Sequence, residues 1–257
     1  MSVLTPGSSQ LRVLTTEYIL DANSLIEESL KQVQASSAFG DVYHISLSAD
    51  TVLSGFRDPR LHPRVAGARS IILRVPLLVG IGQQSVAMVE LRRLVELVFW
   101  TVYFSDHPVE WRAFAATSGS GFSQDTRKPI SYMAHRELSY YIEYARELMG
   151  EEPSGLGAEA VEAIKQVSHE LNAAVHPGQI AQLVGRKAPH EDVSDSSLRK
   201  FSRRQRRVFS SCCTLLAAYR RAQFDRLSAA ARAHFDWLVG PKVRRQVRSG
   251  PFGLPTT

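Results

Sequence analysis

Only two cysteines occur in 257 residues, and Cys212 and Cys213 are neighbours. Adjacent cysteines in a helix cannot close a bridge without severe strain, so no disulfide framework holds this chain together and a reducing, cytoplasmic setting is expected. Long apolar runs are equally scarce. The longest uncharged stretch, Val75 to Val89, contains Pro76, Gly80, Gly82 and two glutamines. A membrane span needs ~20 mostly apolar residues, so none is expected. The opening "MSVLTPGSSQLRVL" has no apolar core of signal-peptide length. Catalytic signatures are missing too. There is no Gly-x-x-x-x-Gly-Lys, no Gly-x-Ser-x-Gly, no Cys-x-x-Cys and no His-Glu-x-x-His. Eight histidines are scattered along the chain. His169 and His176 stand seven apart, and His190, Glu191 and Asp192 form a compact trio, but neither group supplies a zinc ligand set. No metal and no cofactor are expected.

One further scarcity is local. Residues 196–257 hold 2 Asp/Glu against 14 Lys/Arg, whereas residues 1–195 hold 23 against 17. An acidic body with a basic end predicts an anionic partner, or two parts of one molecule that attract each other. Arg outnumbers Lys 25 to 6.

What is present is helical periodicity. Apolar residues recur at helical spacing over Thr15–Gln34, Tyr132–Met149 and Ala158–Val175. Gln84–Phe104 reads as a long helix that becomes apolar on almost every side, as in the middle of a bundle. Pro108 and Glu110 behind Ser105 or Asp106 mark a further helix start. Val65–Val79 reads as a helix kinked at Pro76. Ser196 to about Gly240 reads as a pair of helices. Alternation in "AFGDVYHISLS" allows a short β element near residues 42–48. The fold class is therefore all-α, an irregular multi-helix bundle with that one candidate strand. The organisation expected is an acidic helical body over 1–184, a basic helical pair over 185–240 packed on it, and a flexible basic Pro/Gly-rich tail over 241–257.

The basic run "KFSRRQRRVF" lies in this pair. Advancing about 100° per residue from Leu198, Leu198, Phe201, Val208, Phe209, Cys212, Leu215, Leu216 and Tyr219 fall on one face. Arg199, Lys200, Arg203, Arg204, Arg206 and Arg207 fall on the other. Ordinary wet faces mix signs, because like charges at i,i+4 repel by a few tenths of a kcal/mol. Three such like pairs occur here with no acid between them. The six cations are candidates for holding nucleic-acid phosphate or an acidic protein surface, and a plain solvated face is the alternative. The run itself has no aromatic suited to base stacking, which favours phosphate contact over base reading.

Two further constellations are candidates for chemistry. Ser168, Asn172 and His176 share one helical ridge, and an Asn172–His176 hydrogen bond could orient a general base; a histidine in a last helical turn is also favoured by the helix dipole alone. Arg92 and Glu96 stand at i,i+4 on the most apolar helix, as a structural ion pair would.

"LRRLVELVFWTVYFSDHPVEW" (Leu91–Trp111) and "VSHELNAAVHP" (Val167–Pro177) resemble segments of bacterial all-helical families grouped loosely with HEPN-like and abortive-infection proteins of phage defence. The likeness covers under a fifth of the chain. It implies metal-independent RNA cleavage, usually across a dimer interface, by an Arg and a His a few positions apart. "RDPRLH", Arg57 to His62, matches that string. Pro59 and Pro63 place it in a turn, whereas the family carries it on a helix. The reading taken forward is a non-enzymatic accessory or regulatory protein that binds nucleic-acid backbone or an acidic protein surface. The alternatives are a HEPN-like ribonuclease and a subunit of a larger complex or homo-oligomer.

Overall fold

The computed structural model describes residues 8–58, 61–117, 137–150, 155–175 and 193–249. These form ten helices and no strand. In chain order they are α1 (Ser8–Ala35), α2 (Ser37–Ser54), α3 (His62–Gly80), α4 (Gln84–Asp106), α5 (Pro108–Thr117), α6 (Leu138–Gly150), α7 (Leu156–Val175), α8 (Asp195–Tyr219), α9 (Arg221–Phe224) and α10 (Ala229–Ser249). The protein is an all-α multi-helix bundle.

The candidate β element is not formed. Residues 42–48 lie inside α2, whose buried positions Ala38, Val42, Ile45, Ala49 and Val52 step by three and four. The alternation came from hydroxyls. Ser46 and Ser48 are buried because their oxygens have partners on other helices, Gln205 and His234. A satisfied serine costs little inside, so it can stand where an apolar residue would.

α3 and α4 are joined by a tight reversal. Gln83 N–H donates to the carbonyl of Leu78 at 2.8 Å and Gly82 N–H to that of Val79 at 3.1 Å. This is the Schellman pattern, and it places Gly82 in the left-handed region at φ 72°. Pro76 sits inside α3 without ending it. Downstream, α4 stops at Asp106, His107 turns the chain, and Pro108 opens α5.

α8 is the hub of the bundle. It packs on α2, α7, α4 and α10, while α4 packs on α3, α6 and α7. Every residue placed on its apolar face by sequence is buried, save Tyr219 at the far end, which is half-buried. Ser194 caps the helix through the amide of Ser197, and Asp195 complements the positive end of its dipole. Burying a Leu or Phe such as Leu198 or Phe209 contributes about 1.5–3 kcal/mol. One apolar cluster runs from Ala38 to Leu238, so the body and the basic pair share a core. The expected loose tail begins as helix. α10 continues to Ser249 across a break at Gly240, φ 80°, with Pro241 starting the next turn. Residues 250–257 lie outside the described residues. No helix among the described residues is long and apolar enough to cross a membrane.

Candidate anion-binding surface

Amphipathicity fixes which side of α8 faces out, and its neighbours decide what each cation meets. Arg199 is exposed and pairs with Asp195 one turn earlier, at 3.4 Å. Arg204 and Arg207 share one carboxylate, Glu170 of α7, at 3.6 Å and 2.8 Å. Arg204 also reaches the sulfur of Met88. Arg206 turns the other way, onto α10. Its guanidinium lies 4.3 Å from the ring centroid of Trp237 and donates to the backbone carbonyls of Trp237 and Leu238. Lys200 and Arg203 are exposed, and among the described residues neither enters an ion pair. Four of the six cations are thus held by neighbours, and Lys200 and Arg203 are left open to solvent.

A recess of about 210 Å³ lies on this face, lined by Asp41, Arg199, Ser202, Arg203, Arg206 and Trp237 among others. Three arginines line it beside one carboxylate, Asp41. Of the three, Arg199 is paired with Asp195, Arg206 is held on Trp237, and Arg203 is in no ion pair among the described residues. The two aromatics of the basic run, Phe201 and Phe209, are buried, and the aromatic group at the recess is Trp237, brought in from α10. Its ring already contacts Arg206 and also His44, at 4.0 Å between centroids. The indole therefore orients Arg206 and is not a free platform for a base. The chemistry available is phosphate recognition by forked donors.

The other candidates are not brought together. Arg57 is exposed on the connector after α2, and His62 is the first residue of α3, so the two do not share a helix. Asn172 is half-buried on α7, and its Oδ1 has no hydrogen-bond partner among the described residues. His176 lies outside the described residues, as do His135 and His190. Arg92 and Glu96 form their ion pair at 3.2 Å. Among the described residues no group of three or more His, Cys, Asp or Glu could hold a metal. Cys212 and Cys213 are free and buried, and burial pushes the Cys212 thiol well up and that of Cys213 up to about 12.

One cluster had no linear signal. Asp106, at the end of α4, accepts from Tyr144 of α6 at 2.9 Å and from Tyr219 of α8 at 2.7 Å. Burial raises both phenols, and their bonds to Asp106 raise them further, Tyr144 to about 12. Arg220 lies over the Tyr219 ring at 4.2 Å and donates to its oxygen. These phenols stay protonated and clasp three helices through one carboxylate.

No protein-family model, no curated protein and no solved structure matches this chain.

Proposed function

We propose that the protein is a helical accessory or regulatory factor that docks nucleic acid by its phosphate backbone along the basic face of α8. The observation that carries this is that Arg199, Arg203 and Arg206 line one recess, with Lys200 and Arg203 exposed and in no ion pair among the described residues. Arg forks bind phosphate oxygens in pairs, while the Ser202 hydroxyl in the recess is spent on the backbone carbonyl of Arg199. Binding of this kind is indifferent to base sequence and sensitive to salt, because each phosphate contact releases condensed counterions. The occupied indole of Trp237 fits that indifference. A role in bacterial phage defence rests on the resemblance of Leu91–Trp111 and Val167–Pro177.

The test is fluorescence anisotropy with labelled 20-base-pair DNA and RNA duplexes of unrelated sequence. The expected result is binding at low salt, similar for unrelated sequences, that weakens steadily as salt rises. No binding at low salt, or binding indifferent to salt, removes nucleic acid and leaves an acidic protein surface as the partner to seek.

A further inference from the structure

A more spacious opening than the α8 recess lies elsewhere. A cavity of about 680 Å³ lies between the C-terminal end of α2 and the corner from α9 to α10, and it shares no lining residue with the α8 recess. Sites for small organic ligands run roughly 300–1,000 Å³.

Its charge is unbalanced. Arg57 and Arg226 stand on its wall, both exposed and, among the described residues, in no ion pair. The carboxylate on the same wall, Asp58, is buried and accepts from the side-chain amide of Gln223 at 3.0 Å. The hydroxyls have a definite polarity. Thr51 spends its proton on the carbonyl of Leu47, and Ser54 on that of Thr51, each at 2.8 Å. Both therefore offer a ligand only lone pairs. Leu227 and Ala231 supply an apolar side.

We propose that this cavity binds a small phosphate monoester that also carries hydroxyl or amino donors and a flat apolar body, of the mononucleotide class. The phosphate pairs with Arg57 and Arg226. Sugar or base donors meet Thr51 and Ser54, and the body lies against Leu227. Inorganic phosphate would satisfy only the arginines, and a nucleoside only the hydroxyl side, so the monoester should exceed both.

The experiment is a thermal-shift titration of the full chain with the four ribonucleoside 5′-monophosphates, with adenosine and inorganic phosphate as controls. At least one nucleotide should raise the melting temperature by about 3–5 °C at roughly ten times its Kd. Both controls should give less at the same concentration. The Arg57→Ala/Arg226→Ala variant should weaken nucleotide binding at least ~10-fold, since one lost charge-assisted contact to phosphate is worth about that. Thr51→Val/Ser54→Ala should weaken nucleotide but not phosphate, which keeps the test open if the arginine variant does not fold. Lys200→Ala/Arg203→Ala should bind nucleotide as wild type does, so failure of the α8 reading and failure of this one are distinguishable. The proposal is overturned if no nucleotide shifts the melting temperature at millimolar concentration, if inorganic phosphate shifts it equally, or if only the α8 variant loses the shift.

Discussion

Arg206 of α8 lies over the indole of Trp237 of α10, 4.3 Å from the ring centroid, and donates to the backbone carbonyls of Trp237 and Leu238. A lysine could supply the charge but not the planar fork or the stacking. Arg206→Lys should therefore lose about 1 kcal/mol of stability, by analogy with partly buried cation–π contacts. Its nucleic-acid affinity should fall less than that of Arg203→Ala. Trp237→Ala removes the packing as well and should cost about 2–3 kcal/mol. Urea midpoints of the two variants check the order.

Glu170 holds Arg204 and Arg207 through its two oxygens. Both arginines become available if that carboxylate is neutralised. Glu170→Gln should tighten duplex binding several-fold at low salt and steepen its salt dependence by up to about 2 in log–log slope. Stability should change by no more than about 1 kcal/mol, because both ion pairs are only half-buried and screened by solvent. Anisotropy titrations across salt measure the first effect and urea unfolding the second.

Gln205 is a fully buried polar residue on the core side of α8. Its amide donates to the carbonyl of Val42 at 3.1 Å and to Ser46 Oγ at 2.8 Å. The contact ties the basic helix to α2. Gln205→Leu should destabilise by about 1–3 kcal/mol, because the buried Ser46 hydroxyl then loses the donor from α8. Adding Ser46→Ala should recover part of that loss. A double-mutant cycle in urea gives the coupling, and strict additivity would contradict the contact.

Alkali should unfold the protein earlier than its charge alone would. The thiols of Cys212 and Cys213 and the phenols of Tyr144 and Tyr219 all have raised values in the folded state. Their ordinary values are 9.0 for the thiols and 10.0 for the phenols. Below pH 9 both states keep these protons and the full stability is present. Above it the unfolded chain releases protons the native state retains, so stability falls as pH rises. Each buried thiol removes about 1.4 kcal/mol per pH unit in that window. Urea midpoints from pH 8 to 11 measure the decline. Cys212→Ala/Cys213→Ala should show a shallower one.

How much of this was legible in the residues depends on the range of the interaction. α4 and α8 were readable because their apolar and charged positions contrast strongly at a period of 3.6. Gln84–Asp106 and Asp195–Tyr219 match the expectation closely. Ala38–Ser48 misled because Ser46 and Ser48 are inside by virtue of hydrogen bonds to Gln205 and His234. Those partners lie far along the chain and leave no local trace. Gly240 and Pro241 read as a stop, yet they interrupt α10 and let it resume.

The basic face was legible as a face and not as a site. Residue spacing placed six cations on one side. It could not show that Glu170 and Trp237 would occupy three of them, since those contacts cross from α7 and α10. Nor could it distinguish Arg203, which faces the recess, from Arg204, which faces away toward Glu170.

The most direct measurement is the salt dependence of duplex binding by Lys200→Ala/Arg203→Ala beside the wild type. These two side chains are exposed and in no ion pair among the described residues, so their loss should leave the fold intact. The prediction is a log–log slope shallower by about 2, with weaker binding to every duplex tested. A variant that binds with the wild-type slope and affinity would contradict the assignment of α8 as the docking surface.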